Sequence, residues 1–152
     1  VEIGCWEGRS TICLANAVAP EVVHAVDHWE GNGTEGADHP TVVALAQRDV
    51  FGRFQENVDR FTSGNVVVHR ESSASFFSHF KEPVKLVHID GSHDYESVKA
   101  DIEAVLKLLV PGGVICGHDA DAPGVRQAIG EVLEVIEVFG SENSGVWKWK
   151  QL

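Results

Sequence analysis

Short apolar, β-branched segments alternate with segments of helical periodicity along this chain. The apolar segments predict strands at 1–3, 22–27, 65–69, 84–90 and 114–116. Parallel strands need long crossover connections, usually helices, because a tight turn joins only antiparallel neighbours. The alternation therefore predicts an α/β fold around a mostly parallel sheet.

The periodic segments predict helices at 10–19, 41–61, 74–80, 95–109 and 124–133. The segment 41–61 is expected to be one amphipathic helix. Pro111-Gly112-Gly113 is expected to stop the helix at 95–109. Segments 135–139 and 146–149 predict a final antiparallel pair around a turn at 141–145. Together these segments predict one Rossmann-like, three-layer, doubly wound domain over 1–152. Its sheet is expected to have seven strands, mostly parallel, with a C-terminal antiparallel hairpin.

Polar residues gather where the predicted strands end. They lie at 4–10, 27–29, 71–73, 90–94 and 117–119, although the strands themselves are the most apolar parts of the chain. In an open parallel sheet, ligands bind beyond the carboxyl ends of the strands, where the strand order reverses. This pattern therefore predicts a binding site at that edge.

The first turn has glycines at Gly4 and Gly8, which is not the GxGxxG pattern of dinucleotide-binding proteins. Glycines at this spacing still allow a tight turn and a close backbone approach to a ligand, with a helix N-terminus behind them. Asp27 ends the second strand, where a carboxylate can accept hydrogen bonds from ribose hydroxyls. We interpret these features as a site for a nucleoside-containing cofactor. A purely structural turn with a strand-end Asp is the alternative.

Residues 1–11 resemble motif I of class I S-adenosylmethionine-dependent methyltransferases, an acid-x-Gly-x-x-x-Gly pattern. More narrowly, nearly the whole chain resembles the macrocin/mycinamicin-type sugar O-methyltransferases and, more distantly, catechol O-methyltransferase. The resemblance implies S-adenosylmethionine as cofactor. It implies that Glu2, Gly4 and Gly8 line the methionine part, with Ser10 near its carboxylate and Asp27 at the ribose. It also implies further cofactor-binding residues at the adenine and beside the reacting end: His28, Trp29, Ser72, Ser73 and Asp90.

The segment 88–95 carries the chemistry that this resemblance implies. Asp90 is expected to bind a divalent metal, Mg²⁺ or Mn²⁺, and His93 to remove the hydroxyl proton. His118 and Asp119, after the fifth strand, are expected to complete the metal site. Such a cation would lower the pKa of a hydroxyl and orient it toward the methyl group. These families usually have an acid at the position of His118, and Mg²⁺ prefers oxygen ligands. The imidazole favours Mn²⁺ or another softer ion, or leaves His118 outside the metal site. The alternative for all these residues is that they are ordinary strand-end polar groups.

Charge and composition restrict the partners. Twelve Lys and Arg face 23 Asp and Glu, and the net charge of −11 disfavours nucleic acid and phosphorylated acceptors. No apolar run approaches the length of a membrane span, so no membrane partner is expected. Three scattered cysteines predict free thiols in a reducing cytoplasm. A hydroxylated small molecule is the expected acceptor, and a homo-oligomer is compatible with the sequence.

The leading hypothesis is a metal-assisted O-methyltransferase. The chain contains no Met and opens directly in a strand, which leads us to expect a domain without its N-terminal part. One alternative is therefore an inactive or partner-dependent cofactor-binding module. A second alternative is a metal-dependent hydrolase, which would leave motif I without a role and would use these side chains: His88, Asp90, His93, His118 and Asp119.

Overall fold

The computed structural model describes residues 1–31, 36, 38–133, 136–140 and 145–151. The elements of this part of the chain are, in order: β1 (Glu2–Ile3), α1 (Arg9–Val18), β2 (Val23–Asp27), α2 (Pro40–Gln47), α3 (Val50–Phe61), β3 (Val66–Arg70), α4 (Ser73–His79), β4 (Val84–Ile89), α5 (Tyr95–Leu106), β5 (Leu109–Gly117), α6 (Pro123–Val132), β6 (Glu137–Phe139) and β7 (Val146–Lys150).

The strands form a seven-stranded sheet in the order β3-β2-β1-β4-β5-β7-β6. Pairing is parallel between β2 and β3, between β1 and β4, and between β4 and β5. The C-terminal strands are antiparallel, because β7 inserts between β5 and β6 and pairs with both. The predicted mostly parallel sheet with a C-terminal antiparallel hairpin is therefore confirmed.

The chain divides into two compact units. The first unit comprises Val1–Gly4 and Ser73–Leu152, and the second comprises Cys5–Ser72. Side chains buried completely in the first unit include Phe76, Ile102, Ile115, Ile129 and Trp147. The core of the second unit is made by residues from its turns, from β2 and from α3: Cys5, Ala25, Trp29, Val50, Phe54 and Val58.

The predicted single helix over 41–61 is wrong. Arg48 is extended between α2 and α3, and Asp49 begins α3 as its N-cap. The Asp49 carboxylate accepts a hydrogen bond from the backbone N–H of Gly52 at 2.8 Å. This local bond satisfies a helix-terminal donor and begins a new helix at Asp49. The apolar periodicity of 41–61 therefore runs through two helices and the break between them.

The prediction that Pro111-Gly112-Gly113 stops a helix is also wrong. The helix α5 ends at Leu106, and the Lys107 N–H caps it by donating to the carbonyls of Ala104 and Val105. The three residues instead lie inside β5, in an irregular stretch of its pairing with β4. Four residues of β5 lie opposite a single residue of β4 there, between the pairs Val84–Leu109 and Leu86–Val114. A bulge of this kind accommodates Pro and Gly because part of the strand makes no ladder hydrogen bonds.

Several predicted segments lie partly outside the described residues. These are the segment 28–40 between the predicted strand at 22–27 and the predicted helix at 41–61, of which 32–35 and 37 are not described, the beginning of the strand at 135–139, and the turn at 141–145 apart from Gly145. Among the described helices, none combines the length and apolarity that a bilayer crossing requires.

Gly4 lets the end of β1 lie directly against the end of β4. Its φ is +82°, and a Cβ at this position would lie 2.1 Å from the carbonyl oxygen of Asp90 and 2.6 Å from the Cα of Gly91. No L-residue with a side chain fits this contact without displacing the backbone that carries Asp90. Gly64 has almost the same φ, +81°, but a Cβ there would have no neighbour within 4 Å.

We expect Gly4→Ala to cost much more stability than Gly64→Ala, measured by denaturant unfolding. Gly64→Ala should cost about 1–2 kcal/mol, which is the strain of left-handed backbone. Gly4→Ala should cost at least about 2 kcal/mol more, because the backbone of Asp90 and Gly91 must also move. Equal costs for the two variants would show that the close approach contributes nothing.

Candidate active site

In the second unit, the Asp27 carboxylate holds two turns together. Its Oδ2 accepts hydrogen bonds from the backbone N–H groups of Cys5 at 2.9 Å and Trp6 at 3.1 Å. Its Oδ1 accepts from the backbone N–H of Trp29 at 2.7 Å. Each carboxylate oxygen has further lone-pair capacity, so Asp27 can still accept a hydrogen bond from a ligand hydroxyl. The structure thus gives the predicted ribose-binding residue a second task that the sequence did not indicate.

Trp29, predicted to flank the adenine, is a core residue of the second unit, a placement that the sequence did not indicate. Its ring is 6% exposed, and its centroid lies 4.7 Å from that of Phe51 and 4.8 Å from that of Phe54. Its Nε1 donates to the carbonyl of Trp6 at 2.8 Å. Both tryptophans have positive φ, 57° for Trp29 and 49° for Trp6, so bulky side chains occupy strained turns.

An open cleft of about 650 Å³ lies at the carboxyl ends of β2 and β3. Its lining residues are His28, Glu30, Gly31, Arg70, Glu71 and Ser72. His28 is oriented by the backbone N–H of Glu30, which donates to its Nδ1 at 3.0 Å. The Arg70 guanidinium lies 4.4 Å from the centroid of the Phe51 ring. Of the four residues predicted at the adenine, His28 and Ser72 therefore line one cleft.

Gly8 and Ser10 lie at the beginning of α1. Gly8 is the N-cap, with φ +87°, and a Cβ there would lie 3.1 Å from the Phe54 ring. Ser10 follows in the first turn and is half-buried. Backbone N–H groups in the first turn of a helix have no partner within that helix and favour anions. This position suits the predicted contact of Ser10 with a carboxylate.

In the first unit, Ser73 is engaged with a buried acid. Its hydroxyl donates a hydrogen bond to Asp101 of α5, which is 6% exposed. Burial raises the pKa of Asp101 to about 6, and the Ser73 hydrogen bond only partly opposes this shift. The predicted adenine-edge residue Ser73 therefore has a structural partner that the sequence did not indicate.

Glu2 is completely buried and lies opposite His88 in the pairing of β1 with β4. A distance of 3.4 Å separates Glu2 Oε1 from His88 Nδ1. Burial acts to lower the pKa of His88, but the Glu2 carboxylate and the nearby Asp90 together outweigh it, and the net shift is upward. The acid of motif I, Glu2, thus has a partner within the sheet, His88 of β4, two residues before Asp90.

Asp90, His93 and Asp119 come together beyond the ends of β4 and β5. One ligand atom from each lies within 4.8 Å of the other two. His93 Nε2 is 2.9 Å from Asp119 Oδ2. His118 Nδ1 lies on the same carboxylate, 3.1 Å from Asp119 Oδ2 and 3.9 Å from Asp90 Oδ1. All four residues predicted for metal binding and proton transfer are therefore neighbours.

The electrostatics of this cluster favour a cation. Burial raises the pKa of Asp90 to about 6, and the nearby Asp119 carboxylate adds to the rise, while the neighbouring imidazoles oppose it. A half-buried pair of carboxylates is costly to ionise without a positive charge close by. Carboxylate oxygens and imidazole nitrogens are also ordinary ligands of divalent metals. The donor set therefore fits a divalent ion.

The structure also shows backbone features that the sequence analysis missed. Asp119 has φ 54°, a left-handed conformation that turns the chain immediately after β5. Gly124 lets α6 approach the loop that carries His93, because a Cβ there would lie 2.3 Å from the carbonyl oxygen of His93. Pro123-Gly124 at a helix start was the available signal for this contact. The sequence offers no signal for the positive φ of Asp119, because an Asp does not by itself indicate a left-handed conformation.

Comparisons with known proteins agree with this architecture. Residues 1–120 match the family described as Methyltransferase domain. The chain belongs to the methyltransferase domain family.

Solved structures with bound cofactor share the fold of this methyltransferase domain. Cofactor-bound Rv0187 from MTB superposes with a TM-score of 0.70 at 20% identity, covering 97% of this chain and 70% of that one. The O-methyltransferase from Bacillus cereus in complex with SAH gives 0.64 at 20% identity, covering 97% and 71%. N-methyltransferase NodS from Bradyrhizobium japonicum WM9, in complex with S-adenosyl-L-homocysteine, gives 0.65 at 18%, covering 99% and 76%. At this level of identity, the likeness shows the shared fold.

A curated relative of this methyltransferase domain is the uncharacterised protein y4gI of Sinorhizobium fredii (strain NBRC 101917 / NGR234). It is 26% identical over 125 residues, which are 80% of this chain but only 13% of that protein. The methyltransferase domain therefore spans a small part of the length of this relative.

We expect Asp27→Asn to destabilise the methyltransferase domain by about 1–3 kcal/mol in denaturant unfolding. An amide has one oxygen acceptor in place of two, so at least one of the three backbone N–H groups loses its partner. Asp49→Asn is the matched control. Its carboxylate accepts a hydrogen bond from the backbone N–H of Gly52 as an N-cap, and Asn caps helices about as well as Asp. If both variants cost the same, Asp27 does not hold the turns.

A second prediction concerns pH. The pKa of Asp101 is about 6 in the folded state against an ordinary value of 3.8, so the unfolded state loses its proton first as pH rises. The free energy of unfolding should therefore fall between about pH 4 and pH 6, by up to about 3 kcal/mol from this group. Asp101→Asn should remove that part of the decline.

The measurement is the free energy of unfolding at a series of pH values for both proteins. Glu103→Gln, at an exposed position on the same helix, is the control for loss of one carboxyl group. Identical pH slopes for the parent chain and Asp101→Asn would contradict the assignment.

Proposed function

We propose that this methyltransferase domain transfers the methyl group of S-adenosylmethionine to a hydroxyl oxygen of a small molecule, with assistance from a divalent metal. The observation that carries the proposal is the cluster of Asp90, His93 and Asp119, in which His93 Nε2 and Asp119 Oδ2 are 2.9 Å apart. Family membership supports the cofactor, and the cluster supports the acceptor chemistry.

The cofactor supplies an electrophilic methyl group on a sulfonium ion. Gly4, Gly8 and Ser10 would hold its methionine part, with Asp27 at the ribose and His28 and Ser72 at the adenine. Asp90 would lie at the reacting end. Glu2, Trp29 and Ser73 would support these contacts indirectly, because their side chains have partners within the protein.

Asp90, Asp119 and His118 would hold the metal. When bound, a divalent cation lowers the pKa of a coordinated hydroxyl and fixes its orientation. The protein's part is to keep two carboxylates close together at the ends of β4 and β5, where their mutual repulsion favours a cation.

His93 would remove the proton of the acceptor hydroxyl. Its side chain is 44% exposed, so an acceptor can reach it, and Asp119 orients the ring through Nε2. Imidazole is the side chain that most often serves as a general base, which suits a group that takes up a proton as the oxygen attacks. A carboxylate partner also stabilises the imidazolium that forms.

The acceptor would be a neutral or cationic hydroxyl compound, such as a glycoside or a diol. A net charge of −11 repels phosphorylated molecules and nucleic acid, and no membrane partner is invoked. Thiol side chains at Cys5, Cys13 and Cys116 support a reducing, cytoplasmic location. The proposal also includes a homo-oligomer.

Calorimetric titration with S-adenosylmethionine and S-adenosylhomocysteine tests the cofactor, and methyl transfer to a hydroxyl library tests the activity. No binding to folded protein would overturn the proposal. Binding without transfer to any acceptor would favour the alternative of a partner-dependent cofactor-binding module. Metal binding and hydrolysis without cofactor binding would favour a metal-dependent hydrolase.

We expect His93→Ala to retain cofactor affinity and to lose about 10²–10⁴-fold in turnover, which is the usual contribution of a positioned general base. His79→Ala, at an exposed histidine of α4, is the control and should change neither quantity. Loss of cofactor affinity in His93→Ala, or unchanged turnover, would contradict the role of His93 as base.

A further inference from the structure

Two imidazoles contact the Asp119 carboxylate. Asp119 Oδ2 is 2.9 Å from His93 Nε2 and 3.1 Å from His118 Nδ1. Asp90 supplies a second carboxylate, 3.9 Å from His118 Nδ1. The cluster at the ends of β4 and β5 is therefore a mixed nitrogen and oxygen donor set.

We propose that His118 is the residue that sets metal selectivity at this site, and that it makes the site prefer a transition-metal ion to Mg²⁺. The inference rests on the proposed function, since it concerns the metal of that same site. Mg²⁺ is a hard ion that favours oxygen ligands and retains several of its waters. Imidazole nitrogen is a better ligand for the later divalent metals, in the order from Mn²⁺ through Fe²⁺, Co²⁺ and Ni²⁺ to Cu²⁺.

The separations of the donor atoms fit one coordination shell. In a six-coordinate shell with bonds of about 2.1 Å, adjacent donors lie about 3.0 Å apart and opposite donors about 4.2 Å apart. The 3.1 Å from His118 Nδ1 to Asp119 Oδ2 matches an adjacent pair. The 3.9 Å from His118 Nδ1 to Asp90 Oδ1 lies between the two values. Both separations that involve His118 Nδ1 therefore lie within the span of one coordination shell.

The backbone of His118 is anchored as a metal ligand requires. Its N–H donates to the carbonyl of Ile89 at 3.3 Å, and its own carbonyl accepts from Nε1 of Trp147 at 3.1 Å. Trp147 is completely buried, so this anchor lies in the core of the first unit. A ligand on an anchored backbone is positioned before the metal arrives, which raises affinity and selectivity.

His93 is the other candidate for the nitrogen ligand, since one of its ring nitrogens lies within 4.8 Å of carboxylate oxygens of both Asp90 and Asp119. His93 is, however, the more exposed of the two, at 44% against 36% for His118. Its position in the loop before α5 leaves it accessible to an acceptor. His118 is thus the metal ligand, and His93 is the base that takes the proton of the acceptor.

The test is a competition between Co²⁺ and Mg²⁺ on the full chain without cofactor, followed by visible absorption of bound Co²⁺ and by calorimetry. His118→Asp replaces the nitrogen donor with oxygen. The added negative charge strengthens binding of both cations, so the affinity ratio of Co²⁺ to Mg²⁺ isolates the effect of donor type. His79→Asp makes the same change at an exposed histidine of α4 and is the matched control. Denaturant unfolding of each variant establishes that it is folded.

We expect the parent chain to prefer Co²⁺ and His118→Asp to lower the Co²⁺ to Mg²⁺ ratio by at least about tenfold. The absorption of bound Co²⁺ should shift in the same variant, while His79→Asp changes neither quantity. An unchanged ratio in folded His118→Asp would overturn the proposal. A second variant, His93→Ala, tests the other imidazole, and a ratio that falls there but not in His118→Asp would also overturn it.

Absence of binding by either ion would overturn the inference while leaving the cofactor open to test. Cofactor titration of the metal-free chain addresses the proposed function separately. His118-dependent Co²⁺ binding in a chain that binds no S-adenosylmethionine would refute the proposed function and leave the metal preference intact.

Discussion

Parallel pairing of β1, β4 and β5 is the constraint on which the chemistry of the first unit depends. It brings the carboxyl ends of these strands to one edge of the sheet, so that Asp90 and Asp119 become neighbours although a helix separates them in the chain. The pairing is tight at this edge because Gly4 has no side chain, and the backbone of Asp90 occupies the space of a Cβ. The glycine of motif I therefore acts through packing as well as through any contact with a ligand.

The turns at the strand ends hold strained conformations, and neighbouring contacts maintain them. Trp6, Trp29 and Asp119 have positive φ although none of them is a glycine. In the second unit, the Asp27 carboxylate accepts from the backbone of both tryptophans and so compensates for their strain. Such conformations persist only where surrounding interactions determine them, and they are common where a backbone must present groups to a ligand.

Titratable groups are concentrated at the ends of β1 and β4. Burial and a second carboxylate raise the pKa of Asp90, while Glu2 raises the pKa of His88 in the layer beneath. The sheet thus places titratable groups in two successive layers, Glu2 with His88 and then Asp90 with Asp119. Two half-buried carboxylates close together favour a cation, and the two imidazoles that contact Asp119 bear on which cation is preferred.

The sequence by itself determined the order and type of the elements, because apolar periodicity and strand-end polarity are local properties. It predicted the sheet class, the family resemblance and the four residues of the candidate metal and base site. It did not predict the break at Asp49 or the course of β5 through Pro111-Gly112-Gly113. There a side-chain cap and a bulge, both dependent on particular contacts, outweighed the pattern.

Only the tertiary structure decided which side chains were free for a ligand. Trp29, Ser73 and Glu2 look like binding residues in the sequence, yet their partners are Trp6, Asp101 and His88, all distant in the chain. Likewise, only the fold places two imidazoles on one carboxylate oxygen. Residue type limits what a group can do chemically, but burial and nonlocal contacts decide whether it does so, because they exist only when the chain is packed.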